Sequence, residues 1–330
     1  MSNPPTPAPG PMDDPSPWRT SKSITNNQTA VHVSSTTSLD DAPTWAPDVL
    51  FSSARALFQR LDALSRGNSQ CDSLVVGRVS EDDFRAIETA RDRKRRHYRF
   101  FFLPDAACLI VTLPTGCHEQ AHGYLFSLVS DAIKNMALGN QWTAMGAERF
   151  KAPGGASGEG DSSGGPRFRP DGSIRIWPTI VVEAGATQTL LSLRTKAQWW
   201  FTASNYHMKV VVQVKLFVAR CRIHIEKWIA VVPGTQRPDA ITLRSTRGAV
   251  RLFVQEQEVL IHWDGLAPLS QTPPQHRAPA DFHVDGAPLL LRFEDLLERQ
   301  PDPSRGEHDV IIGEADFQDL AKRVWERHVF

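Results

Sequence analysis

Two apolar runs with a helix between them set the terms on which this chain can fold. "TIVVEAG" (179–185) and "KVVVQVKLFV" (209–218) are short and rich in β-branched residues. Their near-continuous apolarity is that of strands buried on both faces. Between them, "TLLSLRTKAQWWFTAS" (189–204) reads as a helix. Strand, helix, strand in this order implies a right-handed crossover and a sheet with at least one parallel pair. One residue resists the pattern. Glu183 stands in the middle of the first run, and burying an unpaired charge costs roughly several kcal/mol even after relaxation. Either the acid points to solvent or something positive, such as a metal, meets it there.

The rest of the chain is organised around this unit. Residues 1–44 carry seven Pro in the first 17 positions and then a Ser/Thr/Asn-rich stretch. Such a composition buries too little surface to order itself, and a disordered tail is expected. Residues 45–74 hold a helix with Leu50, Ala54, Leu57, Leu61 and Leu64 at helical spacing, stopped by Gly67. A second helix opens at Ser80, which forms a capping box with Asp83. "YRFFFL" and "CLIVTL" form a hairpin around "PDAA", followed by a long amphipathic helix over 114–138 and a strand at "QWTAMGAERF". "PGGASGEGDSSGGP" (153–166) reads as a flexible loop, and "SIRIW" (173–177) as a strand. "RIHIEKWIAV", "AVRLFV" and "EVLIHW" are further strands, a Pro-rich linker covers 268–288, and the chain closes on the helix "EADFQDLAKRVWERHVF". The expected divisions are a tail (1–44), a helix and linker (45–74), a core (75–230) and a C-terminal α+β extension (231–330).

The 37 basic and 37 acidic residues balance, so any nucleic-acid surface has to be local. The candidate patch is "RDRKRRHYR", Arg91–Arg99, with six basic residues. It equally suits the negative end of the helix it follows. Four cysteines show neither a CxxC pair nor a zinc pattern. With no signal-peptide pattern and no membrane-length apolar run, a reduced cytoplasmic or nuclear location without membrane contact is expected.

Asp171, in "RPDG", and Glu183 lie 12 residues apart on segments adjacent in sequence. If those segments pair as a hairpin, the two acids meet at one sheet edge. They would repel unless a cation lay between them. Hard oxygen ligands, with other positions left to water and phosphate, describe a Mg²⁺ site in which Mn²⁺ can substitute. The plainer reading of Asp171 is turn chemistry. Glu119 is favoured near a helix start by the dipole alone. Lys196 reads otherwise as a solvated helix residue, and Trp199 and Trp200 as core. His118 and His122 read as caps or solvent-facing residues near the same helix start.

Several of these pieces together resemble the PD-(D/E)XK nuclease superfamily, and within it the Uma-type restriction-endonuclease-like proteins, including uncharacterised fungal relatives. The stretch "VSEDDFRAIETA…RRHYRFFFLPDAACLIVTLPTGCHEQAHGYLFSLV" resembles that family's opening, "RPDGSI" its Pro-Asp motif, "PTIVVEAG" its strand ending in Val-Glu-Val, and "LLSLRTKAQWW" its following helix. The resemblance covers roughly residues 75–230. It implies an α/β restriction-endonuclease-like core with a mixed central sheet flanked by helices. It also implies a metal-dependent nuclease, with Asp171 and Glu183 as metal-binding acids and Glu119 as accessory acid. The superfamily's lysine two residues after the glutamate is replaced by Gly185, and Lys196, on the next helix, fits a migrated lysine. A Gln-x-Lys variant at Gln213 and Lys215 ranks lower, because no Asp lies between Asp171 and Asp239. A scaffold that keeps the fold without catalysis is the alternative.

Overall fold

A computed structural model describes residues 46–66, 71–231 and 252–326. The expected tail lies outside the described residues. In chain order the elements begin with β1 (Val49–Leu50), α1 (Ala54–Arg66), β2 (Ser73–Gly77), α2 (Glu81–Arg93), β3 (Arg99–Leu103), β4 (Cys108–Thr112) and α3 (Gly116–Asn135). Then come β5 (Trp142–Ala144), β6 (Arg149–Lys151), β7 (Ser157–Glu159), β8 (Ser162–Pro166), β9 (Ile180–Gly185), α4 (Leu190–Ala203), β10 (Val210–Phe217) and β11 (Arg222–Val231). The chain continues through β12 (Leu252–Trp263), β13 (Phe282–Asp285), β14 (Leu289–Leu291), α5 (Phe293–Leu297), β15 (Val310–Ile312) and α6 (Glu314–Glu326).

The result is a mixed α/β architecture. One six-stranded sheet runs β1-β2-β4-β3-β7-β6, and a seven-stranded sheet runs β13-β12-β11-β10-β9-β8-β5. Strands β9 and β10 are parallel and joined through α4, the crossover that the two apolar runs require. Every other pairing in the larger sheet is antiparallel. Helix starts follow local chemistry. Ser80 and Asp83 form a reciprocal capping box on α2, and Thr115 and Thr189 cap α3 and α4 with their hydroxyls.

Burial follows the strand period of two. Ile180, Val182 and Ala184 of β9 join Val210, Val212 and Val214 of β10 in a core completed by α3 and α6. Val181 and Val211 point the other way, into a second core with Trp199, Trp200 and Phe201 of α4 and Phe101 and Ile110 of the smaller sheet. The far face of the smaller sheet packs Phe100, Phe102, Leu109 and Val111 against α1 and α2. Helix α4 therefore lies against both sheets. Among the described residues no helix is long and apolar enough to cross a membrane.

Several expectations are corrected; among them, "QWTAMGAERF" is not one strand but β5 and β6, which lie in different sheets. The Gly-rich stretch 153–166 is not a flexible loop. It contains β7 and β8, and every residue of both strands is buried. The glycines are there because the chain runs against indole rings: a Cβ on Gly158 would stand 2.7 Å from Trp199 and 2.9 Å from Phe101, and one on Gly160 2.5 Å from Val181 and 3.3 Å from Trp200. "SIRIW" is not a strand; it is reduced to a single bridge between Phe168 and Ile174. The sheet also runs across position 230, since β11 pairs with β12 and β12 with β13. The described part of "AVRLFV" and "EVLIHW" form one strand, and the Pro-rich stretch contains β13.

Gly160→Ala is expected to cost about 1–3 kcal/mol through overpacking. Gly123→Ala, in α3 with open space around its Cβ, should stabilise by about 0.5–1 kcal/mol. Urea denaturation of both variants checks the pair. A neutral Gly160→Ala would mean that the segment is not packed as described.

Candidate functional site

Five segments converge beside the end of β9. Glu183 is fully buried on the α4 face of its strand. Its Oε2 accepts from Lys196 Nζ at 3.1 Å and its Oε1 from Trp200 Nε1 at 2.8 Å. Lys196 and Trp200 are one helical turn apart on α4, so both donors reach the same carboxylate. Burial pushes the Glu183 carboxyl upward, Lys196 opposes that shift and the nearby Asp161 adds to it.

Asp161 comes from the segment read as a loop. The β8–β9 ladder ends at the Ser162–Val182 pair, and Asp161 lies just beyond it, near enough to Glu183 for their charges to interact. Its Oδ2 accepts the backbone N–H of Ala184 at 2.8 Å and lies 3.1 Å from Nε2 of His118. Arg99, the first residue of β3, stands 3.5 Å from Oδ1. Burial works to raise the Asp161 pKa, but His118, His122 and Arg99 outweigh it and hold the carboxyl below its ordinary range.

Helix α3 delivers the remaining groups in its first turns. Glu119 is clamped by Arg99 through two hydrogen bonds, 2.8 Å to Oε1 and 3.2 Å to Oε2. Its Oε1 also lies 3.4 Å from Nδ1 of His118 and 3.3 Å from Nε2 of His122. Nδ1 of His122 meets Ser162 Oγ at 2.8 Å. Both histidines are buried, whereas Glu119 keeps 41% of its side chain exposed, so it forms the rim of the cluster. Burial lowers the His118 pKa, yet Asp161 and Glu119 more than offset this and raise it to about 10.

The sequence-derived residues divide. Glu183 and Lys196 are brought together, and Glu119 belongs to the same cluster. Asp171 does not join them. It is exposed, its carboxylate accepts from Ser173 N at 2.9 Å and Ser173 Oγ at 2.6 Å, and Gly172 takes a positive φ beside it. This is the turn chemistry of Pro-Asp-Gly. The hairpin that was to carry Asp171 to Glu183 does not form, because the neighbours of β9 are β8 and β10. His118 and His122, expected at the solvent or as caps, are inside. Lys215 is occupied elsewhere: its Nζ donates to the carbonyls of Ala186 and Gln188 just after β9, while Gln213 donates to Leu193 O.

Asp161 and Arg99 were missed as site residues. The signal for Asp161 was the period-two alternation in Gly158-Glu159-Gly160-Asp161, which puts both glycines on one side and both acids on the other. Of the basic patch, Arg91 holds Glu159, Arg96 holds Asp62 and Arg99 holds Glu119, so half of it is used within the fold. Arg93, Lys94 and Arg95 are exposed.

No family model matches the chain, and no curated protein matches it. Among solved structures it is similar to "a putative nuclease belonging to DUF820 from Anabaena variabilis ATCC 29413", at 13% identity over 58% of this chain and 88% of that one, with a TM-score of 0.30. A likeness this slight leaves the site to be read from its own geometry.

The oxygen set suits a hard dication. Oδ1 of Asp161 is buried and makes no hydrogen bond of good geometry, which leaves an open donor. Each Glu183 oxygen keeps lone-pair capacity beyond the single bond it accepts. The same acid also holds the fold. Lys196→Met is expected to destabilise by about 3–5 kcal/mol, because it leaves a buried carboxylate unpaired. Pairing it with Glu183→Leu should recover part of the loss in a double-mutant cycle followed by urea denaturation. Strict additivity would contradict the pairing.

Proposed function

We propose that this chain is a metal-assisted phosphodiester hydrolase acting on nucleic acid, with a restriction-endonuclease-like core. The observation that carries the reading is Asp161 bonded to the backbone N–H of Ala184, the residue after Glu183, with both acids buried and Lys196 on the latter. Asp161 takes the role that Asp171 was expected to fill. Asp161 and Glu183 hold Mg²⁺, or Mn²⁺ in its place, and Glu119 is the accessory acid at the exposed rim. When bound, such an ion offsets the charge that develops on a phosphodiester under attack and lowers the pKa of its water. Lys196 Nζ is held by Glu183 where it orients a water and balances charge on the phosphorus centre. Arg99 holds the Glu119 carboxylate toward the cluster. Arg93 at the end of α2 and Lys94 and Arg95 just after it are exposed, and they meet phosphates without reading sequence.

A second reading, a non-catalytic scaffold, is favoured by one observation. Lys196 on Glu183 and Arg194 on Glu226 (2.5 and 3.0 Å) dock α4 onto the larger sheet with every one of these carboxylate oxygens already satisfied. A scaffold would bind nucleic acid without cutting it.

Nicking of supercoiled plasmid and cleavage of single-stranded RNA, each with Mg²⁺ and with Mn²⁺, separate the two. Asp161→Asn is expected to abolish cleavage, Lys196→Met to lower it by about 10²-fold or more, and Asp171→Ala to leave it unchanged. No cleavage with either ion, or an Asp161→Asn variant that cuts like the parent, would overturn the hydrolase reading. Reversing Arg93, Lys94 and Arg95 to Glu should weaken binding of duplex DNA and flatten its salt dependence. Unchanged binding would remove that patch from the interface.

A further inference from the structure

We propose that His118, Glu119 and His122 form a site for a borderline transition-metal dication of the Zn²⁺ class, which adjoins the Asp161–Glu183 pair and shares Glu119 with it. The inference does not rest on phosphodiester hydrolysis. It begins with spacing. In "HEQAH" the two histidines are i and i+4 on α3, so their rings share one face of the helix, a spacing that lets two imidazoles reach one ion.

The distances carry it further. One ligand atom from each of the three residues lies within 4.8 Å of the other two. Oε1 of Glu119 stands 3.4 Å from Nδ1 of His118 and 3.3 Å from Nε2 of His122. Bonds of about 2.0–2.1 Å to nitrogen and oxygen in a tetrahedral site separate neighbouring ligand atoms by about 3.3 Å, so both edges already have the required length.

Of the nitrogens that would face away from the ion, one is hydrogen-bonded and the other has a carboxylate beside it. Nε2 of His118 lies 3.1 Å from Asp161 Oδ2, and Nδ1 of His122 lies 2.8 Å from Ser162 Oγ. A carboxylate or hydroxyl behind a ligating imidazole fixes its tautomer and orientation. Nε2 of His122, like Nε2 of His118, is buried and makes no hydrogen bond of good geometry, and it is aimed at Glu119. It is a donor atom without an adequate partner.

The donor set selects the ion. Two imidazoles and one carboxylate suit Zn²⁺, Co²⁺ or Mn²⁺, whereas Mg²⁺ takes oxygen ligands. Arg99 donates to both oxygens of Glu119 and fixes the carboxylate with Oε1 turned toward the imidazoles. The exposed side of Glu119 is the way in, and three protein ligands leave a position open to water.

The test is titration of the chelator-treated full-length chain with ZnCl₂ by calorimetry, with the visible spectrum of the Co²⁺ complex as a second readout. The expected result is one equivalent bound at micromolar or tighter affinity, weakened by more than 100-fold in His118→Ala and in His122→Ala. Asp161→Asn should weaken it by about 10–100-fold, as loss of an orienting partner does, and Asp171→Ala should leave it unchanged. Should an alanine variant fail to fold, His122→Gln with thermal melts replaces it: Zn²⁺ raises the Tm of the parent and not of the variant. No binding, binding that survives loss of both histidines, or displacement by equimolar Mg²⁺ would overturn the site. Failure here leaves Mg²⁺-dependent cleavage untouched, and absence of cleavage leaves the Zn²⁺ isotherm untouched, so the two proposals fall separately.

Discussion

The structure depends on how one buried carboxylate is satisfied. Glu183 sits on a strand whose neighbouring residues are Val and Ala, with no exposed surface. A charge there is tolerable only with a cation and hydrogen bonds at hand. Lys196 and Trp200 supply both from successive turns of α4, and this fixes the height and rotation of the helix over the sheet. The Trp199–Trp200 corner then packs against β7 and the smaller sheet, which is why Gly158 and Gly160 have no side chains. Through those two glycines, the same contact lets Glu159 and Asp161 turn toward the cations on the other side. Glu159 gathers Arg91 and Arg149, and Asp161 gathers Arg99 and His118.

This chain of dependence explains what was legible beforehand. The crossover could be read from "TIVVEAG" and "KVVVQVKLFV" because period and length act locally. The Ser80–Asp83 capping box, the β3–β4 hairpin and the amphipathic α3 have the same local origin. Lys196 was singled out only by the family resemblance, and its ion pair with Glu183 depends on how α4 lies over β9.

What was not legible depended on tertiary contacts. Glycine in sequence signals freedom of φ or absence of bulk, and only the indoles of Trp199 and Trp200 reveal which applies at Gly158 and Gly160. Once the segment was read as a loop, Asp161 was lost with it, and Asp171 became the nearest acid upstream of Glu183. The exposed turn around Asp171 shows the cost of preferring a motif over the turn chemistry of its own residues. His118 and His122 were misplaced for a related reason. Their burial depends on Asp161 and Ser162, two residues of that same misread stretch.

The central claim is that the acids around Glu183 form a cation site and not only a helix dock. Anomalous diffraction from crystals soaked in Mn²⁺ tests it most directly. An anomalous peak is expected within bonding distance of both Asp161 and Glu183, lost in Asp161→Asn crystals. Well-ordered carboxylates with no peak between them, and Glu183 still bound to Lys196 and Trp200 alone, would contradict it.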